Sequence, residues 1–213
     1  MRPVLLLRND MVITRRKFLF LLAASGALVG FRRRGRDVAS PAGGGVVRPP
    51  AALEESRFVD RCVRCGNCMK VCITNGLQPV LFQSGLAGVW TPQLVPEIGY
   101  CEYDCTLCGG TCPTGAIRKL TLDEKRKTRL GLARIDESIC KPWAYGTECL
   151  VCQEHCPIAQ KAIKIEWGQA QHGAVRRPRV DGSLCVGCGI CQNKCPVRPG
   201  RAIRVYPITS DLT

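Results

Sequence analysis

Cys185-Val186-Gly187-Cys188-Gly189-Ile190-Cys191-Gln192-Asn193-Lys194-Cys195-Pro196 is the stretch that decides how this chain folds. Its spacing, C-x2-C-x2-C-x3-C followed by proline, puts three thiols on one tight loop and a fourth on the segment that leaves it. A loop of this kind grips three irons of a cubane while its fourth cysteine points at a different cluster. The proline fixes φ and ends pairing to the local loop. The same unit recurs three times upstream. Cys62, Cys65, Cys68 and Cys72 repeat the spacing with Ile73 in place of the proline. Cys101, Cys105, Cys108 and Cys112 widen the first gap to three residues, and Cys140, Cys149, Cys152 and Cys156 widen it to eight. Pro113 and Pro157 follow these two groups. The groups begin 39, 39 and 45 residues apart, so the chain is an internal repeat.

The four groups take up all 16 cysteines of the 213 residues. Only 6% of the residues are aromatic, against 22 glycines and 14 prolines, so a conventional core is thin for this length. Four [4Fe–4S] clusters would fill that role, each crosslinking two parts of the chain and adding metal-binding free energy to folding. Disulfides would suit an exported protein, but strained i,i+3 bridges make a poor framework. Zinc would use C-x2-C pairs with longer spacers and would not need the third and fourth cysteines so close. The hydrophobic content of 46% excludes disorder for most of the chain. The net charge of +14 divides equally between residues 1–42 and the rest. Sixteen thiolates on four dicationic cores would bring the cluster-bearing part to about −1. The basic surplus is therefore a counterweight to cluster charge, and no nucleic acid is expected as a partner.

Residues 1–42 read as an address. Thr14-Arg15-Arg16-Lys17-Phe18-Leu19-Phe20 opens an apolar run that ends near Phe31. The run suits a signal segment and is shorter than an ordinary transmembrane helix. The paired arginines resemble the twin-arginine export signal. That route, which carries folded proteins, suits a cargo whose clusters are built in the cytoplasm. Residues 1–42 are thus expected to be a leader or, if uncleaved, an N-terminal anchor giving membrane contact. Residues 43–55 read as a flexible linker, 56–206 as the four-cluster domain with motifs at 62–72, 101–112, 140–156 and 185–195, and 207–213 as a tail.

The fold class expected is α+β: two nested bacterial-type ferredoxin modules of short strands, short helices and cluster-binding loops. Arg134-Ile135-Asp136, Arg179-Val180-Asp181 and Phe58-Val59-Asp60 precede groups three, four and one; Ala116-Ile117, Ala162-Ile163 and Ala202-Ile203 follow groups two, three and four. Segments 116–122 and 130–136 read as a hairpin around a charged turn, Asp123 to Lys127, and 162–168 with 174–180 as another. Residues 76–100, with Pro79, Pro92 and Pro96, read as an irregular crossover. Ferredoxin loops are joined by a hairpin, which favours pairing group two with three and group one with four. The ligand sets expected are Cys62, Cys65, Cys68 with Cys195; Cys101, Cys105, Cys108 with Cys156; Cys140, Cys149, Cys152 with Cys112; and Cys185, Cys188, Cys191 with Cys72. Sequential pairing, one with two and three with four, keeps the same sixteen ligands and exchanges partners.

A twin-arginine leader followed by four ferredoxin-type motifs resembles the NapG/MauM family of periplasmic ferredoxin-type proteins, over residues 14 to about 206. The resemblance implies an electron-transfer protein without a catalytic site. A membrane-bound quinol-oxidising protein would be its donor and a periplasmic reductase or cytochrome its acceptor. The localisation implied is periplasmic, reached by the twin-arginine route. An iron–sulfur subunit of a molybdopterin oxidoreductase complex is the alternative, and a redox sensor or assembly factor a more distant one.

Nothing in the residues builds a substrate site. The two histidines are placed in the third cysteine group (His155) and in a hairpin turn (His172). Gly66, Gly109, Gly110, Gly187 and Gly189 lie inside the loops, where they serve tight turns and amide donation to sulfur. Lys125, Arg126, Lys127 and Arg129, with Arg176, Arg177 and Arg179, could steer an acidic partner, but charge compensation or a solvated face is favoured. Trp90 and Trp143 lie in the two irregular insertions, where loop packing is favoured over an interface role.

Overall fold

The computed structural model describes residues 45–170 and 173–208. The leader, the start of the linker, His172 and the end of the tail lie outside the described residues. Residues 43–213 form one compact unit. Regular structure is short throughout, in a mixed α+β arrangement. In the first half come α1 (Glu55–Arg61), α2 (Asn67–Lys70), β1 (Leu77–Pro79), β2 (Pro92–Leu94), α3 (Leu107–Gly110) and α4 (Leu122–Lys127). In the second come β3 (Gly131–Ile135), α5 (Lys141–Ala144), α6 (Val151–Glu154), β4 (Ile163–Ala170), β5 (Gly173–Val180), α7 (Ile190–Lys194) and β6 (Ile203–Pro207).

Four backbone hydrogen bonds define the architecture. Leu53 N–H, ahead of group one, donates to Ala116 O, behind group two (3.0 Å). Val95 N–H, ahead of group two, donates to Gly76 O, behind group one (2.8 Å). Asp136 N–H donates to Ala202 O and Asp181 N–H to Ala162 O, both at 2.7 Å, and these join groups three and four in the same crossed way. Strand pairing agrees. β1 and β2 form a short antiparallel hairpin between groups one and two, and β4 and β5 a longer one between three and four. β3 pairs antiparallel with β6, the strands that bracket groups three and four. Ala52 and Ile117 make the equivalent bridge around groups one and two.

The modules are therefore consecutive and not nested. The expected hairpin of 116–122 with 130–136 does not form. A helix, α4, occupies its turn because Thr121 and Glu124 make a reciprocal capping box. Residues 131–135 are thereby released to pair with 203–207. The stretch 76–100, read as a crossover, supplies a hairpin despite its prolines. Pro79 and Pro92 face each other in this two-stranded ladder, where each strand has an edge that needs no donor. Phe58-Val59-Asp60 lies on α1 rather than on a strand, and buries Phe58 completely.

Each module has its own core. Val47, Phe58, Leu77, Leu94, Ile117 and Leu130 surround cysteines of groups one and two. Ala133, Ala162, Ile163, Ala202 and Ile203 do so for groups three and four. The Ala-Ile dipeptides behind the fourth cysteines are buried in every case. Between the modules, Val186, Cys188 and Ile190 pack on Tyr100, Cys101 and Tyr103. Replacing Phe58 by alanine should cost about 3–5 kcal/mol, read from the denaturant midpoint of the iron-loaded protein. Phe82→Ala, on a ring that is 75% exposed, should stay within about 0.5 kcal/mol.

Candidate metal centres

The third cysteine of every group is the second residue of a one-turn helix: Cys68 in α2, Cys108 in α3, Cys152 in α6 and Cys191 in α7. The first amides of a helix lack carbonyl partners. The backbone amides of Met69, Gly109, Gln153 and Gln192, each next in sequence to one of these cysteines, partly offset the upward push of burial on the thiols. Each helix stops after about one turn, and the fourth cysteine leaves it toward the neighbouring group. Gly187 shows how closely the loops are folded: its φ is +70°, and a Cβ there would stand 2.4 Å from the backbone of Gly131.

Three cavities are walled by four cysteines each. Cys62, Cys65, Cys68 and Cys112 line one, with Trp90 and Ile117 on its walls. Cys72, Cys101, Cys105 and Cys108 line a second. Cys156, Cys185, Cys188 and Cys191 line a third. The remaining four act on one another electrically. Burial and the nearby charge of Cys149 and Cys195 push the Cys140 thiol up to about 11. Burial, with Cys140, Cys149 and Cys195, pushes Cys152 up to about 12.

The structure thus keeps the first three cysteines of each group together and exchanges all four expected partners. Cys112 replaces Cys195 beside Cys62, Cys65 and Cys68. Cys72 replaces Cys156 beside Cys101, Cys105 and Cys108. Cys195 replaces Cys112 beside Cys140, Cys149 and Cys152, and Cys156 replaces Cys72 beside Cys185, Cys188 and Cys191. The cause is the crossed backbone bonding, which ties the exit of each group to the approach of its sequence neighbour.

These cages suit a polynuclear group. All sixteen thiols are free. Among the described residues no three His, Cys, Asp or Glu side chains converge on the position of a single ion. Zinc, with Zn–S bonds of about 2.3 Å, requires such convergence. Thiols spread around a cavity, with helix amides beside them, fit a cubane. Cys112 also accepts from Ile117 N–H (3.5 Å), and the hydroxyls of Thr74 and Thr114 approach Cys72 and Cys112 at 3.6 and 3.8 Å. These threonines follow the fourth cysteine by two residues in groups one and two, a repeat legible in the sequence but not singled out there.

Without a cationic core the cages are electrostatically unfavourable. Burial pushes Cys68 up to about 11 and Cys108 and Cys188 up to about 12, and neighbouring thiols add to it. Cys191 is raised well above the ordinary thiol value for the same reasons. Thiols raised in this way stay protonated at neutral pH, so loading a core expels protons. Because protons compete with the core, loading should proceed further at pH 8 than at pH 6, with proton release measurable in a weakly buffered reconstitution. Stripping iron with a chelator and oxidant should abolish the cooperative unfolding transition.

The remaining candidates are mostly structural. His155 is exposed, and its Nδ1 lies 3.0 Å from Val151 O, closing α6. Trp143 donates from Nε1 to Pro178 O at 3.0 Å and stacks beneath Arg177 and Arg179. Trp90 is 58% exposed while lining the first cavity. The basic clusters are largely partnered within the chain. Arg126 pairs with Asp104, Arg176 with Glu148 and Arg179 with Glu166. Arg129 donates to Gly182 O and Cys185 O. Lys125 is buried, which no reading of a charged turn foresees.

Comparison with known proteins completes the assignment. A 4Fe-4S binding domain family matches residues 178–199. The methylamine utilization ferredoxin-type protein MauM of Methylophilus methylotrophus is 33% identical over 194 residues, covering 90% of this chain and 84% of that protein. The ferredoxin-type protein NapG of Escherichia coli strain K12 is 33% identical over 193 residues, covering 88% and 80%. MauM of Paracoccus denitrificans is 34% identical over 172 residues, covering 79% and 75%. With cysteine cages of this form and similarity of this extent, the chain belongs to the NapG/MauM family of ferredoxin-type proteins, 4Fe–4S electron carriers.

Proposed function

We propose that the chain is a relay of four [4Fe–4S] centres, passing single electrons from a membrane quinol-oxidising protein toward a periplasmic reductase or cytochrome. Bound clusters would supply the one-electron carriers, with potentials set by hydrogen bonds to sulfur, burial and local charge. The chain's own residues hold, orient and shield them. The ligand sets would be Cys62, Cys65, Cys68, Cys112; Cys72, Cys101, Cys105, Cys108; Cys156, Cys185, Cys188, Cys191; and Cys140, Cys149, Cys152, Cys195.

One observation carries the relay reading. Cys101 N–H donates to Cys188 O at 2.8 Å, so the second and third cages share a backbone contact across the module boundary. Within each module, the crossed fourth cysteines bring the first cage against the second and the third against the fourth. The order is then linear, with the two outer cages at the ends. Cys156, Cys185, Cys188 and Cys191, of an inner cage, are all buried, whereas Cys65, of an outer one, is exposed. An exposed ligand at one end suits a carrier that exchanges electrons with a partner there. The names of the relatives place them in methylamine utilization and among ferredoxin-type proteins. Neither name fixes the partner of this chain.

Anaerobically purified protein should contain about sixteen iron and sixteen sulfide per chain, with interacting S = 1/2 signals after dithionite reduction. Cys112→Ser should perturb the centre that holds Cys62, Cys65 and Cys68, leaving the signals of groups three and four intact. Under nested pairing it would perturb the Cys140, Cys149, Cys152 centre instead. Replacing both Arg15 and Arg16 by lysine should retain the protein in the cytoplasm, as fractionation would register; unchanged export would sink the periplasmic reading.

A further inference from the structure

Lys125 is the one buried charged side chain among the described residues, with 1% of its surface exposed. It lies on α4, the helix that stands where a hairpin turn is expected. Its Nζ donates to Glu102 O at 2.9 Å and Tyr103 O at 3.2 Å, and sits 5.7 Å from the centre of the Tyr103 ring. Both carbonyls belong to the widened gap between Cys101 and Cys105, so the extra residue of group two forms the receptor for this ammonium. The next residue, Arg126, fastens the same loop through Asp104 (2.8 Å). Two carbonyls account for two of the three ammonium protons. They belong to the first and second residues after Cys101, so the ammonium is held inside the loop that links two cage cysteines.

A surface lysine would be screened by water, whereas this one is enclosed beside a cage loop. Burying an ammonium costs several kcal/mol unless it is paired and hydrogen-bonded. Two carbonyls compensate part of this cost, and a thiolate of a metal centre supplies the opposing charge.

We infer that Lys125 is a tuning residue that raises the reduction potential of the centre held by Cys72, Cys101, Cys105 and Cys108. The inference rests on the relay reading. One electron entering from a reductant takes that centre, with its four thiolates, from −2 to −3, and no proton or bond is exchanged. A fixed cation in the loop between Cys101 and Cys105 stabilises the more negative state. Cys101 also makes the backbone contact with Cys188. Lys125 therefore acts at the step where an electron crosses between modules.

The test is an anaerobic redox titration of the full chain with dithionite, followed by EPR, for the unaltered protein and for Lys125→Met, Lys125→Arg and Lys127→Met. Lys127 is exposed on the same helix and controls for general surface charge. In Lys125→Met one centre should fall in potential. At its original midpoint the ratio of reduced to oxidised form should drop about ten-fold, equivalent to 59 mV for one electron. Lys125→Arg should keep most of the potential, and Lys127→Met should leave all four centres in place. Full iron with no centre moved in Lys125→Met, or an equal shift in Lys127→Met, overturns the inference. Low iron in the unaltered chain overturns the relay reading and this inference with it. Should Lys125→Met fail to load, the unaltered chain labelled with 15N at the lysine side-chain nitrogens decides. Pulsed EPR should then show a 15N coupling to one reduced centre that Lys125→Arg removes; absence of that coupling overturns the inference.

Discussion

Thiolates confined around a common cavity repel one another, and burial removes the water that would relieve them. Nearly everything in this structure answers that constraint. One-turn helices begin at each cage and carry its third cysteine, with backbone amides beside the sulfurs. Threonine hydroxyls stand beside the fourth cysteines of the first module. A buried ammonium reaches the loop of Cys101. Among the described residues, Lys125, Arg126, Arg129, Arg176 and Arg179 find carbonyl or carboxylate partners in the chain's own loops and strands. Aromatic residues are few in either core: Phe58 is buried in the first, and Trp143 packs against the second.

The crossing of the fourth cysteine couples this local chemistry to the fold. A loop that supplied all four of its own ligands could bind a cluster without any partner. By sending the fourth away, each group leaves its cage incomplete until the neighbouring group has folded against it. The backbone bonds from Leu53 to Ala116, Val95 to Gly76, Asp136 to Ala202 and Asp181 to Ala162 are the framework of that exchange. Secondary structure can stay short because cage formation, rather than extended ladders, brings distant segments together.

The cysteine spacing made much of the site legible. It identified the four groups, the grouping of the first three cysteines of each, and the departure of the fourth. The flanking Ala-Ile and Ile-Asp or Val-Asp pairs correctly signalled strands around the second module. The pairing of groups was misread through two particular segments. Thr121 and Glu124 form a cap that turns 122–127 into a helix, and an alternating pattern on either side of a charged stretch cannot be told from a hairpin without seeing that cap close. Residues 77–79 and 92–94 form a hairpin although three prolines lie nearby, because a two-stranded ladder leaves one edge of each strand without need of a donor. Lys125 was indistinguishable from its neighbours Arg126 and Lys127 by composition alone. Only the widened loop of group two, with carbonyls turned toward it, sets it apart.

The junction between modules has a property of its own. Cys101 and Cys188 meet through main-chain atoms, and Leu130 N–H donates to Val186 O at 2.9 Å close by. Main-chain atoms are the same whatever side chain is attached. Substitution across the surface can therefore proceed over evolutionary time without altering this main-chain contact. Under the proposed relay, the spacing between the two inner cages would then be insulated from changes in the side chains around it.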